Sequence, residues 1–191
     1  MSAPTRLILV RHGRTAWNVE GRFQGHADPP LDDTGWGQAA AVATALRPTP
    51  VAAVLSSDLT RARQTAALIA LGRGLRVTLS SELRETNLGC WTGLSRAEAA
   101  QRFPDEYRAW HNDPHSTRRG GGETEAEAGA RVARHIGAVA RAWPGQAIVV
   151  VCHGLALRAA VALLRDPRAP DASPHLGNGE WITIAWPGHM S

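Results

Sequence analysis

No lysine occurs among the 191 residues, and there are only two cysteines. Cys90 and Cys152 are far apart and in no metal-ligand spacing, which excludes a disulfide framework or a cysteine-held metal as the basis of the fold. Both are expected to be buried thiols that pack as small apolar groups. Long apolar runs are missing too. The most apolar stretch, Ala147 to Cys152, is far too short to cross a bilayer. Near the start, the run Leu7 to Val10 ends at Arg11, shorter than a secretory signal requires and without its small-residue cleavage site. These absences point to a cytoplasmic protein without membrane attachment.

Without lysine, every basic side chain is an arginine, and the formal charge is still +4. GC-rich codon usage accounts for that bias; guanidinium forks also match phosphate oxygens in a bidentate way, which suits an anionic substrate. Nucleic acid is the other usual partner of a basic chain, but these arginines are scattered, with no dense run and no interleaved aromatics, so it is not expected here. His26, His111, His115, His135, His175 and His189 show no paired helical spacing around a glutamate, so no metal site is expected. There is no internal repeat and no low-complexity tract. At 43% hydrophobic and 20% charged, the chain reads as one globular domain, residues 1–191.

Apolar patterning predicts strands at Arg6 to Arg11, Val51 to Ser56, Arg76 to Leu79, Ala147 to Cys152 and near Trp181 to Ala185. Between them, helices are expected from Thr34 as N-cap to about Arg47, after a cap at Ser57 or Asp58, over roughly Glu123 to Trp143, and from Gly154 to about Arg165. Residues 12 to 33 lack a period and read as a long loop. Alternating strands and amphipathic helices give an α/β class: a three-layer α/β/α sandwich with a mostly parallel central sheet. Residues 86–122, with Trp91, Phe103, Tyr107, Trp110 and a run of glycines, read as a small helical and loop insertion over a site.

Ligands in such folds sit beyond the carboxyl ends of the strands. Three of these ends deliver chemistry: Arg11 with His12, Arg61 one turn into a helix, and His153. A lone histidine is more often structural than catalytic. Here each follows a strand and precedes a glycine, and Gly13 is expected to let the backbone turn sharply toward a ligand.

Arg11-His12-Gly13-Arg14-Thr15 with Trp17-Asn18 resembles the Arg-His-Gly signature of the histidine phosphatase superfamily, also called phosphoglycerate mutase-like. The likeness continues in order through Ser56 to Ala66, Leu83 to Gly89 with Trp91 and Gly93, Gly121-Gly122-Glu123-Thr124, and His153-Gly154. Five ordered motifs over nearly the whole chain carry far more weight than Arg-His-Gly alone.

The resemblance implies roles. His12 would take the phosphoryl group through a neutral ring nitrogen, giving a phosphohistidine. Arg11, Arg61 and His153 would hold the phosphoryl oxygens, with Asn18 as a neutral donor. Glu85 would protonate the leaving alkoxide and then activate water. Gln24 and Gly25 align with substrate-contacting positions, and no cofactor or metal is called for. Of the residues in the insertion, Trp91, Trp110, His111, Arg118 and Arg119 are candidates for substrate contact and equally for packing and solvated charge.

A phosphomonoesterase acting on a small phosphorylated metabolite, a sugar phosphate or phosphoglycerate derivative, is the leading expectation, with glucosyl-3-phosphoglycerate phosphatases the similar branch. A cofactor-dependent phosphoglycerate mutase is the alternative; the compact insertion and Gln24, where those mutases place a small hydroxyl residue, favour hydrolysis. A non-catalytic phospholigand sensor is the third reading, for which Glu85 would be superfluous. A homodimer is compatible with the resemblance and is not read from the residues.

Overall fold

The computed structural model describes residues 3–165 and 175–187. In chain order these form β1 (Thr5–Arg11), α1 (Ala16–Val19), α2 (Asp33–Leu46), β2 (Ala53–Ser57), α3 (Thr60–Leu71) and β3 (Val77–Ser80). They continue through α4 (Arg96–Arg102), α5 (Pro104–Asn112), α6 (Glu125–Ala140), β4 (Ala147–Cys152), α7 (Gly154–Leu164) and β5 (Trp181–Trp186). Single 3-10 turns lie at Ser81–Leu83 and Gly89–Trp91.

The five strands make one sheet in the order β3-β2-β4-β1-β5. β3, β2, β4 and β1 run parallel, and β5 closes the edge antiparallel to β1. All six residues of β4 are buried. A parallel strand covered on both faces needs a continuous apolar run, and that is why Ala147 to Cys152 stood out in the sequence.

The two faces separate by strand alternation. Leu7 and Leu9 of β1 with Ile148, Val150 and Cys152 of β4 pack against Val132 and Ile136 of α6 and Leu157 and Val161 of α7. Ile8 and Val10 with Val149 and Val151 pack on the other side against Val42 and Leu46 of α2 and Ala62, Ala66 and Ile69 of α3. The α/β sandwich expected from the sequence is the observed architecture. Among the described residues, no helix is long and apolar enough to cross a membrane.

Residues 86–122 build a third apolar cluster around the fully buried Trp91, with Leu88, Leu94, Ala99 and Trp110 and, packed against them, Phe23, Phe103 and Tyr107. Gly89 and Gly120 hold positive φ of 50° and 57° and pass so closely that a Cβ on Gly89 would run into the Gly120 carbonyl.

Several starts and stops differ from the sequence reading by one to three residues, as for β2, β3 and α6, and three differences have a local cause. The loop after β1 contains α1, because Thr15 and Asn18 form a capping box. Asp32, two residues before the expected Thr34, caps α2 by accepting from the Gly35 N–H. Neither Ser57 nor Asp58 caps α3. Its first N–H, at Thr60, donates to Asp28 Oδ1 at 2.5 Å, and the Thr60 hydroxyl donates to Asp28 Oδ2 at 2.8 Å. Cys90 is exposed, contrary to expectation, whereas Cys152 is buried and its thiol donates to the Leu83 carbonyl, with burial pushing its pKa up to about 12.

Candidate active site

β1 and β4 are paired in register, Arg11 opposite Cys152, so the residues that follow them emerge side by side. His12 follows β1 and His153 follows β4; their ring centroids lie 5.1 Å apart. α3, which follows the neighbouring strand β2, carries Arg61, whose Nε is 3.3 Å from His12 Nε2. Positions 12, 61 and 153 therefore converge.

The His12 ring is nearly fully buried, at 3% exposure. Its Nδ1 lies 2.7 Å from the Gly13 carbonyl oxygen. A carbonyl only accepts, so Nδ1 carries the proton and Nε2 is the bare nitrogen. Burial first, then the Arg61 and Arg11 charges, hold the His12 pKa well below the usual imidazole value. The ring is thus neutral with its lone pair beside a guanidinium. Gly13 differs from expectation: it has no positive φ, and what forbids a side chain there is the Gly35 carbonyl at the start of α2. Thr65 Oγ1 accepts from the Gly13 N–H at 3.1 Å, tying the loop to α3.

Arg61 is completely buried and donates through Nη1 to the Ala27 carbonyl at 2.7 Å and through Nη2 to the Gly25 carbonyl at 3.0 Å. Burial pulls its pKa to about 10, which leaves it protonated. Arg11 donates through Nη1 to the Leu176 carbonyl at 2.7 Å, while its buried Nε makes no hydrogen bond among the described residues. Gly154 is what allows this placement, since a Cβ there would sit 3.2 Å from the Arg11 Cζ and Nε. His153 is fully buried, and neither ring nitrogen has a hydrogen-bond partner among the described residues. Burial, then the Arg61 and His12 charges, lower its pKa well below the ordinary value, so it too is neutral and has one N–H to offer.

Glu85 lies at the N-terminus of α7. Its Oε1 accepts from the Ala156 and Thr86 N–H groups at 2.8 Å each, and Oε2 accepts from the Leu155 N–H at 3.1 Å. Its own carbonyl accepts from His26 Nε2 at 2.8 Å and Arg131 Nη2 at 3.3 Å. Side chain and backbone are both anchored.

Asn18 Oδ1 accepts from the Thr15 N–H and hydroxyl and from Asn178 Nδ2 at 3.3 Å, which turns its amide nitrogen to the open side. Gly25, at φ 48°, places its carbonyl on Arg61. Gln24 is buried with its Oε1 free of hydrogen bonds among the described residues. These eight residues do not all face one space. Arg11, His12, Asn18, Gln24, Gly25, Arg61 and Glu85 line a cavity of about 290 Å³. His153 is not part of that lining, but its ring lies 5.1 Å from that of His12 with both nitrogens unpartnered among the described residues.

Among the insertion candidates, Trp110 and Arg119 line this cavity. Trp91 belongs to the core of the insertion. His111 and Arg118 are exposed and outside it. Sequence reasoning missed Arg22, Phe23 and Arg96 on the cavity wall, and it gave no role to Asn178, whose Nδ2 also donates to the His12 carbonyl at 3.2 Å. The Gly177-Asn178-Gly179 turn before β5 was the available signal. His175 is exposed at the cavity rim, and His189 lies outside the described residues. Among the described residues, no group of three or more His, Cys, Asp and Glu side chains is placed to hold a metal ion.

The fold and site define an α/β sandwich with two histidines and two arginines gathered at its strand ends, and comparison with known proteins gives its family. The profile of the histidine phosphatase superfamily (branch 1) matches residues 7–190, so the chain belongs to that family. It is 38% identical to the bifunctional protein of Mycobacterium tuberculosis over 85% of this chain, and it spans only 45% of that protein's length. It is 35% identical to the glucosyl-3-phosphoglycerate phosphatase of Mycobacterium tuberculosis, covering 97% of this chain and 86% of that one. The mycobacterial glucosyl-3-phosphoglycerate phosphatase solved with VO3 superposes with a TM-score of 0.83 at 32% identity, over 94% of this chain and 90% of that chain. The metal-independent phosphoserine phosphatase of Arabidopsis thaliana is 34% identical over 97% of this chain and 82% of its own length.

Proposed function

We propose that this chain is a metal-independent phosphomonoesterase that hydrolyses a small phosphorylated metabolite through a phosphohistidine on His12. The observation that carries the reading is the state of the His12 ring: Nδ1–H fixed on the Gly13 carbonyl, and Nε2 unprotonated, accepting from Arg61 Nε at 3.3 Å. In the first step Nε2 attacks phosphorus and the P–O bond to the ester oxygen breaks. Glu85 protonates the departing alkoxide. In the second, Glu85 takes a proton from water, the water oxygen attacks phosphorus, the N–P bond breaks and inorganic phosphate leaves.

Phosphoryl transfer asks for positioning and charge stabilisation. Arg61 and Arg11 supply fixed positive charge to the equatorial oxygens and Asn18 its amide; His153, off the cavity wall but next to His12, would turn its one neutral N–H toward the same oxygens. Both Glu85 oxygens accept backbone hydrogen bonds, which holds the carboxyl group in place for proton transfer to the leaving group and from water. The relatives named as phosphatases support hydrolysis over transfer between hydroxyls, and an anchored carboxylate lining the same cavity as His12 supports catalysis over simple phosphate sensing.

His12→Ala is expected to lower phosphate release by about a thousandfold or more, while a chelator leaves the wild-type rate unchanged. Activity that requires a metal, or a fully active His12→Ala enzyme, contradicts the reading.

A further inference from the structure

We infer that Arg119 receives a second anionic group of the substrate, so that the preferred esters carry a carboxylate in addition to the phosphate; this deepens the phosphatase reading and rests on it. Arg119 has no exposed surface and yet lines the cavity. Only Nη2 is engaged, with Glu125 Oε1 at 3.2 Å; Nε and Nη1 make no hydrogen bond among the described residues. Glu125 does not neutralise it alone, because the other carboxylate oxygen is taken by Arg158 Nη2 at 2.5 Å. Two guanidinium groups thus share one carboxylate.

Trp110 fixes the side chain. The Arg119 Cζ lies 5.6 Å from that ring's centroid and the Arg96 Cζ 5.4 Å, and all three residues face the cavity. The neighbouring Arg118 shows the contrast. It is exposed and its donors are used on the Gly122 carbonyl and on Glu127. A buried cation with unused donors is costly unless an anion meets it, and burial does lower the Arg119 pKa. The ligand in the cavity is the partner those donors are placed to meet.

A guanidinium already part-neutralised by Glu125 suits a monoanion, which selects a carboxylate over a second phosphate dianion. Gln24 Oε1, buried and without a partner among the described residues, adds a place for a hydroxyl or ammonium donor on the same ligand. A phosphorylated hydroxy acid or amino acid, bare or further substituted, has all three features.

The test compares kcat/KM for pairs that differ at the carboxylate: 3-phosphoglycerate against glycerol 3-phosphate, and O-phosphoserine against O-phosphoethanolamine. The wild type is expected to favour the carboxylate member by roughly ten- to a hundredfold, the range of a charge-assisted hydrogen bond. Arg119→Gln brings that ratio close to one, Arg119→Lys keeps part of it, and Arg118→Gln keeps it in full. A wild-type ratio near one, or a ratio unchanged in Arg119→Gln, overturns the inference. If Arg119→Gln does not fold, the wild-type ratio and Arg119→Lys still decide. Should no ester be turned over, the phosphatase reading fails. Calorimetric binding of 3-phosphoglycerate and glycerol 3-phosphate to the wild type and Arg119→Lys then judges Arg119 separately: equal affinities overturn it, and a carboxylate preference weakened in Arg119→Lys supports it.

Discussion

The nucleophile role proposed for His12 rests on what surrounds it. One ring nitrogen donates to a carbonyl, the other carries no proton and accepts from Arg61 Nε, and burial beside two arginines keeps the ring uncharged. The same environment has a cost in stability. In the unfolded chain His12 and His153 take up protons near the ordinary value of 6.5, while in the fold both pKa values lie well below it. Stability is therefore complete above that value and falls with acidification, because the unfolded state binds more protons. The loss is about 1.4 kcal/mol per pH unit for each histidine until the folded-state value is reached. Urea midpoints should drop as the pH is lowered from about 8 to about 5, and more gently in His153→Gln. A midpoint that is flat or rises on acidification contradicts the electrostatic description. At this scale the sequence was informative about which residues converge and that His12 is neutral, but not about its tautomer: no spacing says that Nδ1, and not Nε2, faces a carbonyl. Nor did it separate Arg119, buried and underused, from Arg118, its spent neighbour; a pair of adjacent arginines reads the same either way.

At the scale of elements, strands were legible because covered parallel strands are apolar throughout, and β4 was recovered to the residue. Helix starts were less so where the cap is distant in sequence. Asp28 occupies the cap of α3 from the loop that also supplies the Gly25 and Ala27 carbonyls to Arg61. One loop thus both starts the helix and orients its buried arginine, Arg61. Asp28→Ala is expected to lower stability by about 1–2 kcal/mol and also to reduce kcat/KM, whereas Asp28→Asn, which keeps an acceptor, restores most of both. Chemical denaturation alongside steady-state kinetics checks this; a loss of stability with kinetics untouched would separate the cap from the arginine. The insertion's apolar core around Trp91 was visible as a cluster of aromatics, while the crossing of Gly89 and Gly120 that folds it back required coordinates.

For the whole molecule, the parallel order β3-β2-β4-β1 places the ends of β2, β4 and β1 side by side, and each contributes through the turn or helix that follows it. Residues some 140 positions apart in sequence meet because β1 and β4 are hydrogen-bonded neighbours. Glu85 joins from the far side by standing at the start of α7. The central claim, that phosphate passes through His12 Nε2, is tested most directly by rapid quench with a 32P-labelled ester followed by phosphorus NMR and mass spectrometry of the trapped protein. The account predicts an acid-labile, base-stable phosphoryl group on the Nε2 nitrogen of His12. With an ester whose leaving group needs no proton, such as p-nitrophenyl phosphate, it predicts more of it in Glu85→Gln, where only the activation of water is then impaired, and none in His12→Asn. Label found on another residue, or turnover undiminished in His12→Asn, would contradict it.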